Sequence, residues 1–196
     1  MSKRVCPWWL GYLLASPVRR WLSQDPREIL QPYVREGMTV FEPGPGMGFF
    51  TLDLARLVGN SGRVIAVDVQ PKMIEGLKRR AAKAGLQDRI DARVAAPDSM
   101  GVSDLAGRVD FTLAFAMVHE VPSAGRFFTE VSQASRPGAT LLLAEPPGHV
   151  TAQEFEVELQ EAAKAGFTAL ERPSIRRSHT ALLIKGTGAA HPSRPQ

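Results

Sequence analysis

Three glycines, Gly44, Gly46 and Gly48, follow a short apolar run in the stretch TVFEPGPGMGFF, which begins at Thr39. A glycine turn after a strand lets the backbone approach a ligand closely and leads into a helix whose free N–H groups point at that ligand. Glu42 stands two residues before the first glycine. A carboxylate there would repel a phosphate and attract an ammonium, so the turn favours a ligand that carries a positive amino group.

A second acid, Asp68, ends the apolar run VIAVD about twenty residues past the glycines, where an acid accepts hydrogen bonds from ribose hydroxyls in nucleotide-binding folds. The usual dinucleotide fingerprint is G-x-G-x-x-G. Phe49 stands at its last position here, so the spacing is G-x-G-x-G. Asp68 alone does not distinguish a nicotinamide dinucleotide from other adenosine ligands. The two acids together with this glycine spacing distinguish these ligands better.

These residues are positioned by strand-like and helix-like runs that alternate from Thr39 onward. Apolar runs without polar alternation, such as GRVIAVDV and VDFTLAFAMV, are typical of parallel strands covered on both faces. Two last strands, TALERP and HTALLIKG, follow the final helix. The pattern predicts an α/β fold with a mostly parallel sheet and helices on both faces. The glycine turn and the ends of the second, fourth and fifth strands would then share one rim.

Two helices have clear end signals. Pro71 stands near the first turn of PKMIEGLKRRAAKAG, and Gly85 stands at its C-terminal end. Thr151 and Glu154 have the spacing of a capping box at the start of the last helix.

The bulk composition excludes several classes of protein. The chain has 196 residues, 44% apolar and 22% charged, which is enough for one globular domain with a sizeable core. No apolar run approaches the ~20 residues that span a bilayer, and Pro7 and Gly11 interrupt the apolar start, which disfavours an export signal. The single cysteine, Cys6, excludes an internal disulfide and suits a cytoplasmic location. The net charge of +4 comes without a long basic stripe, which disfavours nucleic-acid binding.

The chain resembles the class I S-adenosylmethionine (SAM)-dependent methyltransferases from about Thr39 to Lys185. The resemblance rests on five stretches in the family's order, which are FEPGPGMG, VIAVDVQPKM, APDSMGV, VDFTLAFAMVHEVP and RPGATLLLAEP. These stretches most resemble the motifs of the small-molecule methyltransferases, a group that includes the quinone-biosynthesis enzymes. The resemblance implies SAM as the cofactor and a Rossmann-like methyltransferase fold, a seven-stranded sheet whose last strand is antiparallel.

The resemblance also implies a set of cofactor-binding residues that follow the strand ends. Glu42 and the glycine turn would hold the methionine moiety, Asp68 the ribose hydroxyls, and Val69 the adenine. Asp98 and Ser99 would meet the adenine edge, although a proline precedes them where glycine is usual. The complete set is Glu42, Gly44, Pro45, Gly46, Gly48, Asp68, Val69, Asp98, Ser99, Ala114 and Phe115.

A catalytic base is required only if the methyl acceptor must lose a proton early, because the cofactor is already activated and the protein mainly aligns the reactants. His119, directly after the fourth strand, is the predicted candidate, and the alternative is a loop residue that orders its neighbours by hydrogen bonding. Glu120, Glu145 and His149 are further candidates at the same rim. No metal site is predicted, because HEVP lacks the second histidine of H-E-x-x-H.

The segments that flank the predicted domain do not identify the methyl acceptor. The predicted divisions are an N-terminal helical segment, a SAM-binding methyltransferase domain and a flexible tail, at residues 1–38, 39–185 and 186–196. The first contains Trp8, Trp9 and Trp21 with Arg19 and Arg20. It would pack on the core, cover the acceptor as a lid, or lie on a membrane surface. A lid or a membrane contact would favour a lipophilic acceptor.

The sequence therefore predicts a SAM-dependent methyltransferase that acts on a small molecule. Three alternatives stay open: a nicotinamide-dependent oxidoreductase, a non-enzymatic SAM-binding module and an RNA methyltransferase. Phe49 and Glu42 argue against the first, and the pair Glu42 and Asp68 argues against the second. The third lacks the proline-proline-aromatic signature of amino-group methylation, since EPPG ends at Gly148.

Overall fold

The computed structural model describes residues 25–96 and 98–187. They form a seven-stranded sheet in the order β3-β2-β1-β4-β5-β7-β6. The strands are β1 (Thr39–Pro43), β2 (Arg63–Asp68), β3 (Ile90–Val94), β4 (Val109–Phe115), β5 (Ser135–Glu145), β6 (Phe167–Glu171) and β7 (His179–Lys185). The helices are α1 (Pro26–Leu30), α2 (Thr51–Leu57), α3 (Pro71–Lys83), α4 (Ala124–Ala134) and α5 (Ala152–Lys164).

The sheet is parallel from β3 through β5, and β7 inserts antiparallel between β5 and β6. The predicted seven-stranded sheet with an antiparallel last strand is therefore confirmed. Because parallel strands place their carboxyl ends at one edge, the ends of β1, β2, β4 and β5 lie side by side. We refer to this edge, with the loops that follow these four strands, as the rim.

Helices cover both faces of the sheet, because neighbouring residues of each strand point to opposite sides. Phe41 packs in a core cluster with Phe128 of α4 and Phe155 of α5. Val40, the residue before it, packs in a second cluster with Leu54 of α2. All five side chains are almost fully buried. The prediction of two helical layers is confirmed.

Local chemistry sets several element boundaries. The Thr151 hydroxyl accepts a hydrogen bond from the Glu154 N–H, and the Glu154 carboxylate accepts one from the Thr151 N–H, so the predicted capping box opens α5. Pro71 begins α3, and Gly85 follows its last turn with φ of +66°.

Strand β5 is longer than its sequence pattern indicates. The apolar run predicts a strand from Ala139, whereas β5 begins at Ser135 and passes through a proline and a glycine. Ser135 pairs with Val109 of β4, and a register shift before Phe111 takes up the irregular residues. A bulge of this kind lets a strand contain a proline, because the missing N–H falls where no ladder bond is needed.

Part of the predicted N-terminal segment packs on the core. Ile29, Leu30 and Val34 are buried in the cluster that contains α2. The tryptophans on which the lid and membrane interpretations depend lie outside the described residues, as do residues 188–196 of the predicted tail. Within the described ranges, no helix is both long and apolar enough to cross a bilayer.

Gly48→Ala tests the packing of the glycine turn on α3. Gly48 has φ of +84°, and a Cβ there would lie 2.5 Å from Cδ1 of Leu77. We expect a loss of about 1–3 kcal/mol in the free energy of unfolding, from backbone strain and the steric contact together. Urea denaturation measures this loss. The matched control is Gly85→Ala, which has a left-handed φ of +66° and open space around the added Cβ, and equal losses in both variants would contradict a role for Leu77.

Candidate functional site

The glycine turn joins β1 to α2, and its three glycines all have left-handed backbone angles. A Cβ on Gly44 would lie 3.0 Å from Cβ of Met117, in the loop after β4. A Cβ on Gly48 would meet Leu77 of α3, so this glycine provides the close helix packing that the last glycine of a dinucleotide fingerprint provides. Gly46 has open space on its Cβ side, so a ligand can approach its backbone there.

The turn is held from two neighbouring elements. The Arg80 guanidinium of α3 donates a hydrogen bond to the Met47 carbonyl oxygen at 2.5 Å. The Gly44 N–H donates to the Val67 carbonyl oxygen of β2 at 2.9 Å. Pro45, between the first two glycines, is buried. These contacts hold the turn in one conformation against the rim.

Glu42 presents a buried carboxyl behind the turn. The side chain is 3% exposed, and among the described residues neither its Oε2 nor the Thr51 hydroxyl has a hydrogen-bond partner. Burial raises the pKa of Glu42 to about 8, and the Asp68 carboxylate adds to the shift. A buried carboxyl oxygen without a partner costs free energy that a donor from a bound ligand would recover.

Asp68, at the end of β2, is buried but has hydrogen-bond partners. Its Oδ2 accepts from the Gly46 N–H at 3.2 Å, and its Oδ1 accepts from the Gln70 N–H at 2.8 Å. Burial raises its pKa, these two backbone hydrogen bonds oppose the rise, and the charge of Glu120 adds to it. The next residue, Val69, is 44% exposed and offers an apolar surface beside the carboxylate. Asp68 therefore fixes the middle glycine and keeps free lone pairs for hydroxyl donors.

The end of β4 contributes main-chain atoms more than side chains to the candidate site. Ala114 is fully buried in the core, so only its main chain can line a ligand site. The Phe115 ring packs on Phe50 with centroids 4.5 Å apart. Ala116 follows with φ of +55°, a left-handed angle that is strained for alanine, and its N–H donates to the Ala144 carbonyl oxygen. The chain turns sharply there, directly before Met117.

Glu145, at the end of β5, organises the loop after β4. The side chain is 0% exposed. Its Oε1 accepts hydrogen bonds from the N–H groups of Met117 at 3.2 Å and Val118 at 2.7 Å. Its Oε2 lies 2.5 Å from Nδ1 of His119. The sequence interpretation ranked Glu145 below His119 as a base and missed this role, although an acid at the end of the strand next to β4 was the available signal.

His119 is held between several charges. The hydrogen bond to Glu145 raises its pKa, burial opposes the rise, and the charges of Glu145, Glu120 and Glu158 add to it. Nε2 lies 3.9 Å from Oε1 of Glu120, and the ring of His149 lies 5.2 Å from the His119 ring. The imidazole side chain is 18% exposed, so it retains access to the solvent side of the rim.

Asp98 and Ser99 lie in the loop after β3 and face α4. The Asp98 carbonyl oxygen accepts from the Arg126 guanidinium at 3.0 Å, and the Ser99 hydroxyl donates to Glu130 Oε2 at 3.3 Å. Pro97 is outside the described residues. Both hydrogen bonds connect this pair to α4, and its adenine-edge role stays a prediction.

The donor set of the rim fits SAM. The unpartnered Glu42 oxygen suits an ammonium group, Asp68 suits vicinal hydroxyls, and Val69 suits an aromatic base. In the described part of the chain, no group of three or more histidine, cysteine or acidic side chains has the geometry to hold a metal ion.

A family model described as "Methyltransferase domain" matches residues 34–182, which include the whole rim. The chain belongs to the class I SAM-dependent methyltransferase family. The earlier resemblance is thereby confirmed, and with it the assignment to a SAM-using family. A SAM dependent methyltransferase from Aquifex aeolicus has the same fold, with a TM-score of 0.80 at 24% identity, over 92% of this chain and 98% of that one.

Curated relatives of this family member differ in length and in name. The ubiquinone biosynthesis O-methyltransferase of Methylocella silvestris is 32% identical over 119 residues, which are 61% of this chain and 44% of that protein. The carboxy-S-adenosyl-L-methionine synthase of Hydrogenovibrio crunogenus is 27% identical over 177 residues, which are 86% of this chain and 68% of that protein. The chain thus spans less than half of the first relative, and the relatives' names do not select one acceptor.

Glu42→Gln tests the buried carboxyl through stability without any ligand. The pKa of Glu42 is about 8 in the folded protein and near 4.5 when unfolded, so the folded state binds more protons between these values. The stability of the parent protein therefore falls as pH rises through this window, and the glutamine variant avoids that loss. We expect the variant to gain roughly 2–4 kcal/mol relative to the parent between pH 5 and pH 8.

Urea unfolding at both pH values measures the effect. Glu75→Gln, an exposed substitution on α3, is the matched control and should follow the parent. Parallel pH curves for the parent and Glu42→Gln would show that Glu42 is ionised in the ligand-free protein and would contradict the prediction.

Proposed function

We propose that this protein transfers the methyl group of SAM to a small, apolar organic molecule. The observation that carries the proposal is the buried Oε2 of Glu42, which has no partner among the described residues. It lies two residues before a glycine turn whose middle glycine is hydrogen-bonded by Asp68. A turn of this kind, backed by an acid, binds an amino-acid ammonium better than a pyrophosphate.

Glu42 would bind the cofactor's ammonium in its ionised form. Because its pKa is about 8 without ligand, the carboxyl is largely protonated at pH 7, and a bound cation would draw the proton off. Cofactor binding should therefore release a proton and tighten as pH rises toward 8. The same argument explains why the acid remains buried without a protein partner.

Asp68 and Val69 would hold the adenosine half. The Asp68 carboxylate has lone pairs beyond the two that accept from Gly46 and Gln70, and ribose hydroxyls are suitable donors. The exposed Val69 side chain is an apolar surface on which adenine can pack. Because Asp68 also fixes the Gly46 backbone, the two halves of the cofactor would be held by one connected unit.

The role of the protein in the reaction is alignment. When bound, SAM supplies a methyl group on a positively charged sulfur, which is already activated toward a nucleophile. The turn at Ala116 and the loop 117–119, fixed by Glu145, form the side of the rim that faces Gly44. Holding the acceptor against this fixed loop would convert a bimolecular reaction into an oriented one.

The charges of the rim favour a small acceptor over RNA. Asp68, Glu120 and Glu145 lie at or beside the rim, and their negative field repels a phosphate backbone. The partly exposed ring of Phe115, which packs on the buried ring of Phe50, provides apolar surface at the same edge. The relative from Methylocella silvestris, a ubiquinone biosynthesis O-methyltransferase, also supports a small acceptor.

Titration calorimetry with S-adenosylhomocysteine, with NADH in parallel, tests the proposal. We expect micromolar affinity for the first, no heat from the second, and release of up to one proton on binding at pH 7. Comparing the enthalpy in phosphate and Tris buffers counts that proton. Binding of NADH alone, or of neither ligand, would contradict the assignment for this chain.

Asp68→Ala should weaken the binding of S-adenosylhomocysteine by about 1–3 kcal/mol, because the ribose hydroxyls and the Gly46 N–H lose their acceptor. Calorimetry measures the change in Kd. Asp88→Ala, an exposed acid after α3, is the control and should bind like the parent. Unchanged affinity in Asp68→Ala would remove Asp68 from the cofactor site.

A further inference from the structure

We propose that Glu130 and Arg126 of α4 are positioning residues for the adenine end of the cofactor site. They hold residues 98–101 of the loop after β3, to which we refer as the adenine loop. This inference rests on the proposed function and deepens it, since it states how the chain distinguishes the base of SAM from another base. It is carried by three hydrogen bonds that join α4 to the adenine loop.

The chain that leads to the adenine loop leaves the sheet beside Asp68. Val94, the last residue of β3, pairs with Asp68, and the next N–H, that of Ala95, donates to the Asp68 carbonyl oxygen at 3.0 Å. Asp68 and Val69 are the residues proposed to bind the ribose and the adenine. The segment after β3 therefore begins at the adenosine half of the site, and Asp98 follows three residues after Ala95.

The contacts between α4 and the adenine loop involve two side chains of the helix. Oε2 of Glu130 accepts hydrogen bonds from the Met100 N–H at 2.8 Å and from the Ser99 hydroxyl at 3.3 Å. The Arg126 guanidinium donates to the Asp98 carbonyl oxygen at 3.0 Å. Arg126 and Glu130 are four residues apart, so they lie on the same face of the helix. Three consecutive loop residues are thus bound to one helix face.

The hydrogen bonds of Ser99 and Asp98 give these neighbours different roles. The Ser99 hydroxyl donates its one proton to Glu130, and its oxygen accepts from the Gly101 N–H at 3.2 Å. Its side chain has no further donor, so it holds the loop. The Asp98 side chain is exposed, and no hydrogen bond or ion pair within the described residues involves its carboxylate. That carboxylate is available to accept a hydrogen bond from the amino group of adenine.

The core beside the adenine loop is anchored independently of these contacts. Val102, directly after the loop, is 4% exposed and lies in the core cluster that contains Phe127 and Phe128 of α4. Before the loop, β3 is paired with β2. Residues 98–101 are themselves exposed or half-buried. Glu130 and Arg126 therefore restrict a surface segment, and a segment that is already ordered loses less conformational entropy when a ligand binds.

Helix α4 also connects the adenine loop to the other end of the site. The Val118 N–H is held by Glu145, and the helix begins shortly afterwards at Ala124. Met117, in the same loop as Val118, lies against Gly44 of the glycine turn. One helix is thus joined to the loop beside the glycine turn and to the adenine loop.

Titration calorimetry with two ligands that differ only in the base tests the inference. S-inosylhomocysteine has a carbonyl oxygen where S-adenosylhomocysteine has the amino group, and a carboxylate at that edge would face an acceptor. We expect the parent to bind S-inosylhomocysteine about 10-fold or more weakly than S-adenosylhomocysteine. In Glu130→Ala, the affinity for S-adenosylhomocysteine should fall by about 10-fold, whereas that for S-inosylhomocysteine should change by less than about twofold.

Two further variants and a control accompany Glu130→Ala. Glu130→Gln keeps an oxygen that can accept from the Met100 N–H, so it should restore most of the discrimination between the two ligands. Arg126→Met alters an exposed side chain and should narrow the same discrimination, which also provides the test if Glu130→Ala does not fold. Glu156→Ala, an exposed acid on α5, is the matched control and should discriminate like the parent.

The outcomes separate this inference from the proposed function. Equal losses for both ligands in Glu130→Ala would assign Glu130 a purely structural role and overturn the inference. Full discrimination in both Glu130→Ala and Arg126→Met would overturn it as well. A parent that binds the two ligands equally would overturn it and leave the cofactor assignment in place, whereas a parent that binds neither would overturn the proposed function together with the inference.

Discussion

Three carboxyl groups are buried at one edge of the sheet, and burying a charge is costly unless hydrogen bonds or an opposite charge replace the lost water. Asp68 is compensated by two backbone N–H groups. Glu145 is compensated by two more and by the imidazole of His119. Glu42 has an oxygen without a partner in the described chain, and its pKa is accordingly raised to about 8. The first two acids build the rim, and the third is left for a ligand.

The hydrogen bonds of these buried acids also connect the loops of the rim to one another. Asp68 fixes the Gly46 backbone, and Gly44 accommodates the side chain of Met117. Met117 is in turn held through its N–H by Glu145. A change at the end of β5 can therefore reach the cofactor turn through two contacts. The connection runs through backbone hydrogen bonds and close packing, which allow little adjustment.

Elements governed by local chemistry could be predicted from the sequence. The capping box of α5 needs only Thr151 and Glu154 at the right spacing, and it forms. The left-handed glycine turn needs only glycines after a strand. The start of β5 could not be predicted in this way, because Ser135 becomes a strand residue only through its pairing with Val109, far earlier in the chain. The neighbouring strand determines pairing of this kind, so the local sequence around Ser135 does not predict it.

Some features of the candidate site could likewise be predicted from the sequence, and others depend on the tertiary structure. By itself the sequence determined the family and the position of Glu42 two residues before the glycine turn, because this spacing is a property of one short segment. The contact of Asp68 with Gly46 also requires β2 to lie beside β1. Only the tertiary structure decided what His119 and Glu145 do. They are separated along the chain and meet because β4 and β5 are neighbours in the sheet. The same holds for the orientation of Ser99 toward α4, since a hydroxyl takes whichever partner the packing brings within reach.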